Sequence, residues 1–187
     1  GRRSGTIIVK GRKKMKQYEV FELVLNGQLP EGSEALAQVN AVFTCDGQEK
    51  EVKGFYDGNG VYKVRFLPEK CGTYFWKVSG AATAEGSEEC VPGEGHGLVR
   101  AEKTHFVYED GTRYIPFGTT IYALIHQEDS LVRETMESLK NAPFNKVRHC
   151  VFPKSYEFNQ NEPPCFAFEK DGDGKWDVNR PNYRFWE

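Results

Sequence analysis

Residues 57–66 combine a turn signal with strict alternation: Asp57-Gly58-Asn59-Gly60-Val61-Tyr62-Lys63-Val64-Arg65-Phe66. Successive side chains of a strand point to opposite faces, so Tyr62, Val64 and Phe66 are predicted to share one buried face. The same alternation recurs in residues 39–45 and 72–78, each bounded by Gly, Pro, Asn or Asp turn residues. Short alternating strands at intervals of about ten residues are typical of an antiparallel β-sandwich.

The pattern changes after residue 80. Residues 81–97 are rich in Gly, Ala, Ser and Glu without periodicity, which predicts a surface loop or linker. Residues 106–115 predict a hairpin. Val132, Met136 and Leu139 then recur at helical spacing until Ala142-Pro143 stops the helix, and residues 144–152 predict a further strand. A strand, a helix and a second strand form the beginning of an α/β unit. Because this segment follows an antiparallel β-sandwich, the predicted fold class of the whole chain is α+β.

These patterns divide the chain into four predicted parts. They are a basic arm at 1–16, a β-sandwich at 17–80, a linker at 81–97 and an α/β segment at 98–187. Met15 is a candidate native start, which makes residues 1–14 upstream or added sequence that is left out of the fold prediction. Two parallel strands with one finished helix cannot close a sheet, so the chain is expected to be the N-terminal piece of a longer protein.

Composition excludes several classes of protein. The chain has 187 residues, of which 39% are hydrophobic, 13% aromatic and 28% charged, which excludes disordered, collagenous and coiled-coil proteins. No apolar stretch has the length of a membrane helix or a signal peptide, so no membrane association and a cytoplasmic location are expected. The seven basic residues of 1–16 lack interleaved aromatic residues and precede an acidic body, so no nucleic-acid binding is predicted.

No metal or cofactor site is predicted. The five cysteines are widely spaced without a CxxC pair, which argues against a disulfide framework and a zinc site and favours reduced thiols. Residues 171–177 invite a calcium interpretation, but Lys175, Trp176 and Asn182 stand where that motif needs other residues. There is also no glycine-rich phosphate loop.

Two sets of segments carry a family resemblance. The first comprises Gln17-Tyr18-Glu19-Val20-Phe21-Glu22-Leu23, Gly54-Phe55-Tyr56-Asp57-Gly58, Tyr62-Lys63-Val64-Arg65-Phe66-Leu67-Pro68 and Gly72-Thr73-Tyr74-Phe75-Trp76. It resembles the β-sandwich domain of unknown function that precedes apiosidase-like glycoside hydrolase barrels. The second comprises Gly97-Leu98-Val99-Arg100, Tyr114-Ile115-Pro116-Phe117-Gly118-Thr119-Thr120, Ala142-Pro143-Phe144-Asn145-Lys146-Val147-Arg148 and Val151-Phe152-Pro153-Lys154. It resembles the start of that barrel.

The resemblance implies an immunoglobulin-like sandwich followed by an incomplete TIM barrel of clan A type. In such barrels the catalytic carboxylates end the fourth and seventh strands, whereas this chain reaches only the second. No catalytic residue is therefore expected here, and the predicted role is that of an N-terminal accessory region, inactive alone, of a glycoside hydrolase acting on an oligosaccharide or glycoside.

Barrel chemistry collects at the C-terminal ends of strands, which gives the candidate substrate-lining residues. They are Thr120, Tyr122 and His126 after the first strand, Arg148, Lys154 and Tyr156 after the second, and Trp176 in a long loop. By resemblance, Arg148 matches the arginine that orients the nucleophilic carboxylate in clan A barrels. The alternatives are an ordinary ion pair for Arg148 and an ordering of their own loop for Tyr122 and His126.

Two other functions stay open. One is a stand-alone carbohydrate-binding module using Tyr56, Tyr74, Phe75 and Trp76, although alternation favours packing for Tyr74 and Trp76. The other is an interaction domain that forms a homo-oligomer through unpaired barrel strands.

Overall fold

The chain forms mostly β-strands with few helices. The computed structural model describes residues 14–152, 157, 160 and 162–186. Within these ranges, no helix has the length and apolar character needed to cross a membrane. The chain divides between Tyr114 and Ile115 into two compact units.

The first unit begins with eight strands. They are β1 (Met15–Lys16), β2 (Phe21–Asn26), β3 (Val39–Cys45), β4 (Gln48–Lys53), β5 (Phe55–Tyr56), β6 (Val61–Phe66), β7 (Gly72–Gly80) and β8 (Ala84–Val91). One sheet has the order β1-β8-β7-β3-β4 and the other the order β2-β6-β5. All pairs are antiparallel except β1 with β8.

The two sheets enclose the core of a β-sandwich-like domain. The predicted inward faces of β3, β6 and β7 are buried. Phe43 stacks on Phe66 of the other sheet with ring centroids 4.0 Å apart, and the rings of Phe66 and Tyr74 are arranged edge to face with centroids 5.3 Å apart. Burying side chains of this size contributes about 1.5–3 kcal/mol each, so these three aromatic residues hold the sheets together.

The linker prediction for residues 81–97 is wrong over most of its length. Strand β8 pairs with β7 along its whole length, from Gly72 opposite Cys90 to Val78 opposite Ala84. The sandwich therefore continues past residue 80. It also starts earlier than predicted, because Met15 is fully buried and pairs with Cys90, so β1 is part of the fold rather than of a basic arm.

An antiparallel meander completes the first unit. It consists of β9 (Val99–Glu102), β10 (His105–Tyr108) and β11 (Arg113–Tyr114), in the order β11-β10-β9. The predicted hairpin of residues 106–115 corresponds to β10 and β11. Since this meander lies in the first unit, the structural boundary falls after residue 114 rather than at 97.

The second unit contains a strand, helix, strand succession. Its elements are β12 (Gly118–Thr120), a 3₁₀ turn at Leu124–His126, α1 (Asp129–Lys140), β13 (Lys146–Arg148), β14 (Phe168–Lys170), β15 (Trp176–Pro181) and α2 (Tyr183–Trp186). Strands β12 and β13 are parallel, and β14 and β15 form an antiparallel hairpin. With one parallel pair in the described part of the second unit, the start of a TIM barrel is not evident from this architecture.

Candidate functional site

The parallel pair β12–β13 brings three of the predicted site residues together. Thr120 lies opposite Arg148 in the register of the two strands. The connection continues past both strand ends, because the Ile121 amide donates to the Arg148 carbonyl at 2.9 Å and the Cys150 amide donates to the Tyr122 carbonyl at 3.0 Å. The backbone therefore fixes Thr120, Tyr122 and Arg148 at one edge of the sheet.

Arg148 and Tyr122 also contact each other through their side chains. The Arg148 guanidinium donates a hydrogen bond to the Tyr122 hydroxyl, and its Cζ atom lies 5.2 Å from the centroid of the Tyr122 ring. Both residues are exposed, Tyr122 by 43% of its surface. Within the described part of the chain, the Arg148 side chain contacts Tyr122 and no carboxylate. Arginine carries five N–H donors, so the guanidinium keeps donors for an anionic or hydroxyl-bearing partner.

Sequence reasoning missed the residue that anchors this strand pair, Asn145. Its side-chain Nδ2 donates to the Ile115 carbonyl at 2.8 Å, while its Oδ1 accepts from the Phe117 amide at 2.9 Å. The Asn145 amide in turn donates to the Phe117 carbonyl at 2.9 Å. Such bonds satisfy the backbone groups where a parallel pair begins. The only sequence signal was an Asn two residues after a helix-stopping Pro.

Gly118 permits the close approach of the two strands. A Cβ atom at this position would lie 2.5 Å from the Lys146 carbonyl oxygen, closer than real Cβ atoms come. The register that places Arg148 beside Tyr122 therefore depends on a glycine at the start of β12.

His126 does not lie in an open site. Its side chain is only 3% exposed, and neither ring nitrogen has a hydrogen-bond partner in the part of the chain that the structure describes. The ring packs against Phe185 with centroids 6.0 Å apart. A solvent-borne ligand cannot reach this imidazole here, so the prediction that His126 lines a substrate site is not supported in this chain.

Trp176 belongs to a separate cluster. It lies on β15, where the centroids of its ring and the Phe166 ring are 4.9 Å apart. The Lys170 Nζ atom lies 4.8 Å from the centroid of the Trp176 ring. Lys154 and Tyr156 lie outside the described residues.

In residues 171–177, the segment that suggests a calcium site, the first carboxylate accepts hydrogen bonds within the hairpin turn. Asp171 Oδ1 accepts from the Asp173 amide at 2.9 Å and from the Lys175 amide at 2.8 Å. No group of residues that could hold a metal ion occurs in the described ranges. These two bonds order the β14–β15 turn.

The four aromatic residues suggested for a carbohydrate-binding module do not form a common surface on the sandwich. Tyr56, Tyr74 and Trp76 are buried in the core, and Tyr56 is itself bonded, its hydroxyl accepting from the Gly60 amide at 2.9 Å. Phe75 alone of the four is exposed. Replacing Tyr56 would therefore damage the core rather than probe a surface.

Comparisons with known proteins relate part of the first unit to a sequence family and both units to a solved structure. Residues 14–81 match the sequence family described as a domain of unknown function, DUF5060. The chain superimposes on the crystal structure of a putative glycoside hydrolase from Bacteroides vulgatus ATCC 8482 with a TM-score of 0.81 and 34% sequence identity. The match covers 94% of this chain but only 37% of that protein.

The other comparisons add little. The Lin-41 filamin domain matches with a TM-score of 0.39 and 16% identity, over 48% of this chain and 94% of that domain, which is too weak a likeness to indicate a shared fold. No curated protein matches the chain.

Proposed function

We propose that this chain is the N-terminal accessory region of a glycoside hydrolase, with an immunoglobulin-like sandwich followed by the first strands of a clan A type TIM barrel. The observation that carries the proposal is the parallel pair β12–β13, connected through α1 and ending in Arg148. The 34% identity with the Bacteroides vulgatus protein supports it, since the similarity extends over both units.

Arg148 is proposed to position a carboxylate. Barrel enzymes build their active sites at the C-terminal ends of strands, where Arg148 lies with Tyr122 as its neighbour. A planar guanidinium binds a carboxylate through two parallel charge-assisted hydrogen bonds and keeps it ionised. The Tyr122 hydroxyl accepts one N–H of Arg148 and thereby limits the rotation of the guanidinium.

The chain alone is proposed to be inactive. Glycoside hydrolysis needs two carboxyl groups across the scissile bond, about 5–5.5 Å apart in retaining enzymes. By the resemblance stated above, both come from later strands. The proposal includes a cytoplasmic location, in keeping with five cysteines that are all unpaired.

The first test is to sequence the gene past the Glu187 codon. We expect the reading frame to continue far enough to complete a barrel of about 250 residues. Glutamates are expected at the ends of two of the later strands. A frame that ended at Glu187 would overturn the proposal.

The second test is activity. The 187-residue chain and the longer protein are assayed with a panel of 4-nitrophenyl glycosides, and turnover is expected only for the longer protein. In that protein, Arg148→Lys removes the bidentate fork and should lower kcat/KM by about 10²-fold or more. The matched control is Arg133→Lys on the exposed surface of α1. Turnover by the chain alone, or equal effects of the two substitutions, would contradict the proposal.

A further inference from the structure

The outer face of the larger sheet of the sandwich carries an open depression of about 660 Å³. The strand register orders its floor in two rows across β3, β7 and β8. The rows are Thr44, Phe75 and Ser87, and Val42, Lys77 and Glu85. A volume of this size is within the range of small-molecule sites, roughly 300–1,000 Å³.

Phe75 lies in the middle of this face. It is 62% exposed, whereas its neighbours in sequence, Tyr74 and Trp76, point into the core. Thr44 and Ser87 flank it directly in the register. An exposed aromatic ring with a hydroxyl-bearing residue on either side combines one apolar surface with hydrogen-bonding groups, and ligand sites pair aromatic side chains with a few polar groups in this way.

The charges of this face narrow the choice of ligand. Its three ammonium groups belong to Lys16, Lys53 and Lys77, and its four carboxylates to Glu49, Glu51, Glu85 and Glu89. An excess of carboxylates disfavours phosphate-bearing ligands and nucleic acids.

The apolar area of the face is also small. Among the outward-facing residues that line the depression, Phe75 and Val42 are the large apolar side chains. A stable protein interface, in contrast, buries about 800 Å² per partner around an apolar centre. A second copy of the chain is therefore a poor fit. A neutral sugar fits better, because its C–H face packs on an aromatic ring while its hydroxyl groups bond to carboxylate, hydroxyl and ammonium groups.

We propose that this outer face, centred on Phe75, binds a neutral oligosaccharide. The inference deepens the proposed function, on which it rests, by adding a non-catalytic sugar site to the accessory sandwich. Phe75 stacks on one sugar ring, Thr44 and Ser87 bond to its hydroxyl groups, and Glu49 and Glu85 bond to the neighbouring rings.

The test is binding of defined oligosaccharides to the 187-residue chain. The probes are cellohexaose, xylohexaose, mannohexaose and laminarihexaose, each titrated to 10 mM while amide chemical shifts are recorded. At least one probe is expected to shift amides of β3, β7 and β8 in a saturable manner. Phe75→Ala is expected to weaken that binding at least tenfold, and Phe75→Tyr to retain it within threefold, since an aromatic face remains.

Leu36→Ala is the matched control, because Leu36 is an exposed apolar residue outside the depression. It should leave the affinity unchanged. Absence of saturable binding by all four probes, or an equal effect of Phe75→Ala and Leu36→Ala, would overturn the inference. So would sedimentation showing a dimer that Phe75→Ala disrupts, since the face would then be a protein interface. None of these results bears on the activity of the longer protein, which tests the proposed function separately.

Discussion

At the scale of single residues, the sandwich depends on a glycine that lies beneath a tryptophan. Gly86 is paired with Trp76 across β7 and β8, and a Cβ atom at position 86 would lie 2.5 Å from Cζ2 of the Trp76 ring. Gly86→Ala forces this rigid, buried ring to move. We expect a loss of about 1–3 kcal/mol in the free energy of unfolding, measured by urea denaturation.

Two further variants test the cause of that loss. Gly32→Ala is the matched control, since no atom lies within 4 Å of a Cβ there, and its effect should stay within about 0.5 kcal/mol. In the Trp76→Phe variant the smaller ring leaves room for the alanine side chain. Adding Gly86→Ala to that variant should therefore lower the free energy of unfolding by less than it does in the parent. An alanine at 86 that left stability unchanged would show that the ring does not require this glycine.

At this scale the sequence predicted which side chains follow the two parallel strands. Arg148, Tyr122 and Thr120 are brought together as expected, because two parallel strands place their carboxyl ends at one edge. The burial of His126 was not predicted, since the ring packs against Phe185, nearly sixty residues later, and periodicity does not encode such a contact. Asn145 was missed for the same reason: its partners, Ile115 and Phe117, are distant in sequence.

At the scale of elements, alternation predicted the strands that contribute large side chains to the core. It missed β8 because the inward positions of that strand include Ala84 and Gly86, which give no apolar signal. The space above Gly86 is filled by the Trp76 ring from the neighbouring strand. When a neighbouring strand contributes the large apolar side chain, the strand itself can have a sequence that resembles a loop.

The meander of the first unit is stabilised by a charge pair whose strength depends on pH. Arg100 on β9 donates to the Glu109 carboxylate after β10 and lowers the pKa of that carboxyl below its usual value of 4.5, and the Leu98 amide contributes to the same effect. A lowered pKa in the folded state stabilises the protein above about pH 4.5. The contribution is lost as the pH falls through the lowered pKa.

Arg100→Gln should therefore raise the pKa of Glu109 towards 4.5, as measured by NMR titration of its carboxyl carbon. The variant should be less stable than the parent at pH 7 and should differ less from it at pH 3. Arg113→Gln removes an exposed charge from β11 of the same meander and serves as the control. An unchanged Glu109 titration in Arg100→Gln would mean that the guanidinium is not the cause of the shift.

At the scale of the whole molecule, the two units differ in how much core they contain. The first unit buries almost all of the hydrophobic core, whereas in the described part of the second unit only Ala167 and His126 are buried. Several large apolar side chains of the second unit are exposed instead: Ile115, Phe117, Leu131, Met136, Val151, Phe152 and Trp186. A unit that buries so little apolar surface has little to oppose the conformational entropy of unfolding.

Hydrogen exchange should reveal this difference directly. In the 187-residue chain, amides of β3, β6 and β7 are expected to exchange slowly, and those of β12, α1 and β13 at least a hundredfold faster, because local opening there disrupts few buried contacts. In the longer protein that we propose, additional strands would cover the exposed apolar residues and slow exchange in β12 and β13 at least tenfold, while leaving β3 and β7 unchanged. Equal protection of both units in the chain alone would instead mean that the second unit is complete without further strands, which would favour a self-contained binding module over a barrel fragment.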